Sequence, residues 1–318
     1  MLGAMTMVGN GGMSAPPPFS WGRMGTFAPS FATTVILLLV LGLYLAGVAR
    51  FPKVSEGRSW SAKRTISFVA GIVVVAIATQ SVVGEYDMTM FADHMIQHLL
   101  LIMVAAGLFA MGAPLELATT TTPGVPGRLL NAVVDSKVGE FMGRPIVGFA
   151  LYALFIPVTH LTGLFNLMLT HMWVHHAEQV GFLLIGYLFW RPVVAIEPSR
   201  HPLAPGLRLV YLALAVPVDT FTGLALVMST HEIFPAYTAM HRTWGGPILV
   251  DLKTGGAIMW IGGDALMLGA MIPVAVQWMR DEDAKSVTVD AELDAAPQGS
   301  ARAIFPTVPV PARPPHEH

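Results

Sequence analysis

The chain has no cysteine among its 318 residues. Disulfides, thiolate metal sites and thiol redox chemistry are therefore excluded, and any metal must be held by His, Met, Asp, Glu or Gln. Charge is also scarce. Only 12% of residues are charged, about half the share usual in a soluble domain, too few to build a solvated shell. Net charge is −2, so no global basic field argues for nucleic acid. Residues 1–26 lack a basic start before an apolar run and hold one basic residue, Arg23. They read as a loose extramembrane segment and not as a signal peptide. There is no nucleophile–base pattern and no phosphate loop, so nothing points to an enzyme. No lysine follows Lys253 in the last apolar segment, which excludes a retinal photoreceptor.

Apolar residues are abundant. They make up 54% of the chain, and the mean hydropathy is +0.61. A membrane helix needs ~20 mostly apolar residues. Seven segments qualify: Phe27–Ala49, Ile66–Val83, Met90–Ala113, Pro145–Phe165, Ala177–Ile196, Leu207–Ser229 and Gly255–Met279. The third and fourth carry polar residues and are chosen on length and flanks. The expected fold is an all-α polytopic membrane helix bundle, with an extracytoplasmic N-terminal segment over 1–26, a membrane domain over 27–279 and a disordered cytoplasmic tail over 280–318. No internal repeat suggests a duplicated transporter.

The loops set an orientation. Arg50, Lys53, Arg58, Lys63 and Arg64 lie between the first two segments, Arg128, Lys137 and Arg144 between the third and fourth, and Arg191, Arg200 and Arg208 around the fifth-to-sixth connection. The alternate loops are poor in base. Positive loops stay in the cytoplasm, so the N-terminus is expected outside and the C-terminus inside.

On that topology the histidines gather at one end. His94 and His98 lie in the outer half of the third segment, His160 near the outer end of the fourth, and His171, His175 and His176 at the start of the fifth. His231 and His241 occupy an outer loop, while His201 lies in an inner one and His316 and His318 in the tail. Asp93-His94-Met95-Ile96-Gln97-His98 is the sharpest local pattern. Residues four apart share a helix face, so two imidazoles can reach one ion. The alternative is a pair of interhelical hydrogen bonds that fix packing. His171 and His175 are also four apart, and Glu178, three beyond His175, can ligate or orient a ring.

Asp219 and Asp264 lie inside membrane segments. At ~1.5 Å per residue they and His98 sit ~13–15 Å deep, where a lone ionised acid costs at least ~2.5–3.5 kcal/mol. They either serve function or bond within the bundle, and Asp251, just before the last segment, joins them as an intramembrane polar group. Nineteen methionines include Met5, Met7, Met13, Met88, Met90, Met95 and Met103 toward the outer side. Thioether suits monovalent copper, but most such methionines are packing.

Several motifs together resemble the CtaG-type cytochrome c oxidase assembly factors of bacteria. They are His94-Met95-Ile96-Gln97-His98-Leu99-Leu100 with Met111-Gly112-Ala113-Pro114, Leu188-Phe189-Trp190-Arg191-Pro192, Pro235-Ala236-Tyr237 with Trp244-Gly245, and the stretch from Asp251 to Gly263. The resemblance covers about residues 30 to 280. It implies a seven-helix protein of the bacterial plasma membrane that helps mature haem–copper oxidases, with copper as cargo and oxidase subunits and a copper donor protein as partners. His94 and His98 match the family's His pair. His175 and Glu178 match the first His and the Glu of its His-x2-Glu-His element, whose final His is Gln179 here. Gln is a poor copper ligand, so a site copied from the family loses one imidazole here; His171 or His176 could substitute, or the site is weaker. His175 is the expected third ligand beside His94 and His98, with His160, His171 or His176 in its place otherwise. The family's Ala-Pro step after the His pair is replaced by Val104-Ala105-Ala106-Gly107, which should straighten the third helix. A membrane cytochrome with haem between two histidines, or a copper or proton transporter using Asp219 and Asp264, fits the same residues.

Overall fold

The computed structural model describes residues 7–8, 12–13, 16–23, 25–239 and 242–295. Within them the chain is helical, apart from a two-residue antiparallel ribbon pairing Met7–Val8 with Gly12–Met13. The long helices are α1 (Phe31–Val54), α2 (Ala62–Gln80), α9 (Pro145–Leu161), α11 (Met172–Val194), α12 (Pro205–Val227) and α15 (Gly263–Ala295). Between α2 and α9 lie α3 (Val82–Tyr86), α4 (Phe91–Leu99), a π-helical turn Leu100–Ala105, α5 (Ala106–Gly112), α6 (Pro114–Thr121), α7 (Gly124–Asp135) and α8 (Lys137–Met142). Short α10 (Leu164–Thr170) follows α9, α13 (Pro235–Ala239) follows α12, and α14 (Ile248–Ala257) joins α15 through a second π-helical turn, Ile258–Gly262.

Helix covers each of the seven segments expected from the sequence. Five spans are long and apolar enough to cross a membrane: α1, α2, Phe91–Thr121, α12 and Ile248–Thr288. The pair α9 and α10 becomes a sixth if its 68° bend is counted within one span. The bend falls at Thr162 and Gly163, so the expected single helix Pro145–Phe165 is corrected to two. Helix α11 has 23 residues, but His175, His176, Glu178 and Gln179 in its first turns keep it below the apolarity of the others.

The span through α4 and α5 lies at the centre. Half of its apolar stretch is buried, against 11% for α1. It packs on α2, α11 and α14, while α12 packs on α9, α14 and α15 and α1 leans on α6 and α2. Small residues allow the closest crossings. A Cβ on Gly223 of α12 would stand 2.6 Å from the Gly256 carbonyl of α14.

The third helix is not uniformly α-helical: a π-helical turn, Leu100–Ala105, runs into Val104-Ala105-Ala106-Gly107, within one continuous span Phe91–Thr121. There the wider winding turns the Ile102 carbonyl toward α11, where Trp190 Nε1 donates to it at 2.9 Å. Gly186 lets the two backbones meet, since a Cβ there would lie 2.6 Å from the same oxygen. The polar segment after Arg280 is not wholly disordered either, because α15 continues to Ala295. The i,i+3 pair Glu282–Lys285 supports that extension. Residues 296–318, with His316 and His318, lie outside the described residues, as do Met5 and His241 and the side chains of Met7 and Met13.

Candidate metal centre

Two helices bring the candidate ligands together. His94 and His98 project from one face of α4, and His175 and Glu178 from the first turns of α11. His94, His98, His175 and Glu178 are each at most 5% exposed. Glu178 lies at the middle. Its Oε2 is 3.6 Å from His94 Nε2 and 3.7 Å from His175 Nδ1, and its Oε1 is 3.3 Å from His98 Nε2. Donor atoms of His94, His175 and Glu178 all fall within 4.8 Å of one another. The sequence places Glu178 in support of three imidazoles; the structure places it in direct contact with all three.

The opposite edge of each ring fixes its proton. His94 Nδ1 lies 3.1 Å from the Asp87 carbonyl, so it must carry hydrogen and leave Nε2 bare. His160 Nδ1 lies 2.8 Å from the Ile156 carbonyl and donates to it, leaving its own Nε2 as an acceptor. His98 Nδ1, 3.0 Å from that Nε2, must then be the donor, and His98 Nε2 is bare. His175 Nε2 is 3.2 Å from Asp87 Oδ2. In a neutral His175 whose proton faces that carboxylate, Nδ1 is bare as well. Three imidazole nitrogens thus face one carboxylate. All five inward atoms, the three nitrogens and both Glu178 oxygens, are buried without a hydrogen-bond partner. Burying so many acceptors together is costly unless a cation or protons lie between them. With their far edges hydrogen-bonded, these rings are oriented as metal-binding imidazoles usually are. The donor set is nitrogen and oxygen only, which suits copper or zinc.

Asp87, at the end of α3, was not singled out by its sequence. Besides His175, its Oδ2 accepts from Gln97 Nε2 at 2.6 Å, and its carbonyl accepts from Tyr237 Oη at 3.2 Å. Gln97 also donates to the Ala78 carbonyl at 2.9 Å. Burial, with Asp251 and Asp87 nearby, pushes the Tyr237 phenol well above its ordinary value, so it stays a donor. Asp251 is a clamp. It accepts from the backbone N–H groups of Phe91 and Ala92 at 2.9 and 3.1 Å and pairs with Arg242 at 2.9 Å. It thereby anchors the first turn of α4, which carries His94, from near the start of the candidate span Ile248–Thr288.

The other histidines stand apart. His160 supports His98 from α9. His171 and His176 are exposed; His171 Nδ1 meets Thr170 Oγ1 at 2.9 Å and His176 Nδ1 meets Gln179 Oε1 at 3.4 Å. Gln179 reaches His175 Nε2 at 3.0 Å and Gln97 at 3.3 Å, on the edge of His175 away from Glu178. The substitution of the family's His by Gln therefore leaves the converging set untouched. Asp219 is buried and accepts from Tyr152 Oη at 2.6 Å; Asp264 accepts from Thr220 Oγ1 at 2.8 Å. Asp219, Met95, Met103 and Met259 border a cavity of about 10 Å³ beside His98, room for one water.

The sequence model of the cytochrome c oxidase caa3 assembly factor family matches residues 42–281. The chain belongs to this family. The match to the caa3 assembly factors covers every helix that shapes the site. Curated relatives include an uncharacterized protein of Mycobacterium leprae (strain TN), 28% identical over 266 residues, covering 80% of this chain and 40% of the relative. Another, from Mycobacterium bovis, is 29% identical over 276 residues, covering 81% and 41%. The chain thus spans about two fifths of the length of these relatives. No solved structure matches this caa3-family chain.

Proposed function

We propose that this chain holds one copper ion between His94, His98, His175 and Glu178 and supplies it during assembly of a haem–copper cytochrome c oxidase. One observation supports the reading: nitrogens of His94, His98 and His175 face the Glu178 carboxylate, all buried and without a hydrogen-bond partner there, and donor atoms of His94, His175 and Glu178 lie within 4.8 Å of one another. Membership of an oxidase assembly family favours copper over zinc in this reading, since a haem–copper oxidase needs it. The partners in this reading are oxidase subunits and a donor that loads the site. The cavity beside His98, about 10 Å³, has no room for a porphyrin, which argues against a haem-binding cytochrome. The protein sits in the bacterial plasma membrane with the histidine end outside, as the loop charges require. The role is binding and transfer, not catalysis.

The test is metal analysis of purified protein, comparing wild type with His94→Ala, His98→Ala and His231→Ala. Copper should vanish with either α4 substitution and persist with His231→Ala, whose ring lies on an exposed loop. Equal copper in all four would make the pair a packing device. A second reading, a copper or proton path, has Asp219 in its favour, because it borders the cavity beside His98. Copper flux in vesicles that disappears with Asp219→Leu would support it.

A further inference from the structure

Helix α1 is the least embedded part of the bundle, and its contact with the rest leaves a groove. Between α1 and α6 lies a trough of about 830 Å³. Tyr44, Phe68 and Leu117 form its floor. The helices touch at Gly47, where a Cβ would meet Thr121 Oγ1 at 3.0 Å and Leu117 Cγ at 3.1 Å. Val40 and Leu43 continue the apolar wall toward the membrane interior. At the other end the trough is rimmed by Arg50 and Lys53, three residues apart and so on one side of α1.

These two cations differ from their neighbours. At the same end Arg64 pairs with Glu116 at 3.0 Å, Arg191 with Glu197 at 2.9 Å and Arg200 with Asp135 at 2.7 Å. Among the described residues Arg50 and Lys53 have no carboxylate within reach and no side-chain hydrogen bond. An occupant that satisfies the whole trough must offer an apolar chain along Val40 and Leu43 and a negative charge at Arg50 and Lys53.

We infer that this trough binds an anionic phospholipid, its acyl chain between α1 and α6 and its phosphate on Arg50 and Lys53. The lipid completes the packing that α1 lacks, and the basic rim lies on the end where the loop charges place the anionic leaflet. The inference is independent of the metal site.

Native mass spectrometry of the full chain in detergent, titrated with phosphatidylglycerol or phosphatidylcholine, tests it. Wild type should hold one phosphatidylglycerol in preference to phosphatidylcholine. Two cations at ~1 kcal/mol each predict that Arg50→Gln with Lys53→Gln weakens phosphatidylglycerol about thirty-fold. Lys63→Gln, a basic residue of the same end outside the trough, should change nothing. Ala46→Phe, which fills the trough without altering charge, should lower binding of both lipids. Inorganic phosphate should not displace the lipid. Equal binding of the two lipids by wild type, a preference that survives the double substitution, an equal loss in Lys63→Gln, full binding in Ala46→Phe, or displacement by phosphate would each overturn the assignment.

Discussion

Asp87→Asn separates a metal site from a set of packing histidines. The residue is 3% exposed and its Oδ2 lies 2.6 Å from Gln97 Nε2, which donates to it, and 3.2 Å from His175 Nε2. Asparagine keeps the shape and one acceptor oxygen. It removes the charge that holds the His175 proton on Nε2 and so the lone pair on Nδ1. His94 is held by the Asp87 backbone carbonyl, which the substitution leaves in place. The effect should therefore fall on one of three imidazoles. Loss of a partner that orients a metal-bound imidazole costs about 10–100-fold in affinity, or about 1.4–2.7 kcal/mol. Copper affinity would be measured by chelator competition on the purified full chain, with thermal melting of the metal-free protein as the check on folding. The expected result is that weakening with an unchanged stoichiometry at saturating copper. An affinity within about twofold of wild type, in a protein that melts normally, would refute the argument that Asp87 sets the His175 tautomer. A loss as complete as that of His94→Ala would make Asp87 a ligand itself.

Two further outcomes follow from the geometry. Asp219→Asn should fold normally because asparagine still accepts from Tyr152, whereas Asp219→Leu strands a buried hydroxyl and should cost about 1–3 kcal/mol in thermal stability; equal melting of the two would remove the Tyr152 bond from the account. Reporter fusions after Arg50, Lys137 and Arg200 should read cytoplasmic and those after Asp87 and Thr170 external, and a cytoplasmic signal at Asp87 would turn the histidine end inward.

The readable parts of this chain are those governed by local periodicity. Apolar runs located the helices, and the four-residue spacing of His94 and His98 placed both rings on one face before any fold was known. Helix boundaries were harder where polar residues are buried. The first turns of α11 carry two histidines, a glutamate and a glutamine, so hydropathy starts that helix at Ala177; the structure starts it at Met172, with His175 and Glu178 turned into the bundle and His176 left outside. The π-helical turn Leu100–Ala105 was illegible for a different reason. Its sequence is an ordinary apolar run, and what stabilises it, Trp190 on the Ile102 carbonyl, comes from 88 residues away. Asp87 was missed on the same ground, being 88 residues from the ring it orients.

The role of Gln179 shows how spacing alone misleads. In sequence it stands at the final histidine of the element that the resemblance implies and reads as a lost ligand. On α11, Glu178 turns inward among the three rings, while Gln179, one residue or about 100° further round the helix, meets the far edge of His175. A histidine at this position would meet the same edge, next to Asp87, and not the Glu178 carboxylate that the three rings face. Converting Gln179 to His is thus expected to leave copper stoichiometry at one per chain and to alter affinity only through His175. Metal analysis of Gln179→His decides it. A gain in affinity that persists when His175 is replaced by Ala would show that the new imidazole ligates directly, and the centre would then lie on the other side of the His175 ring.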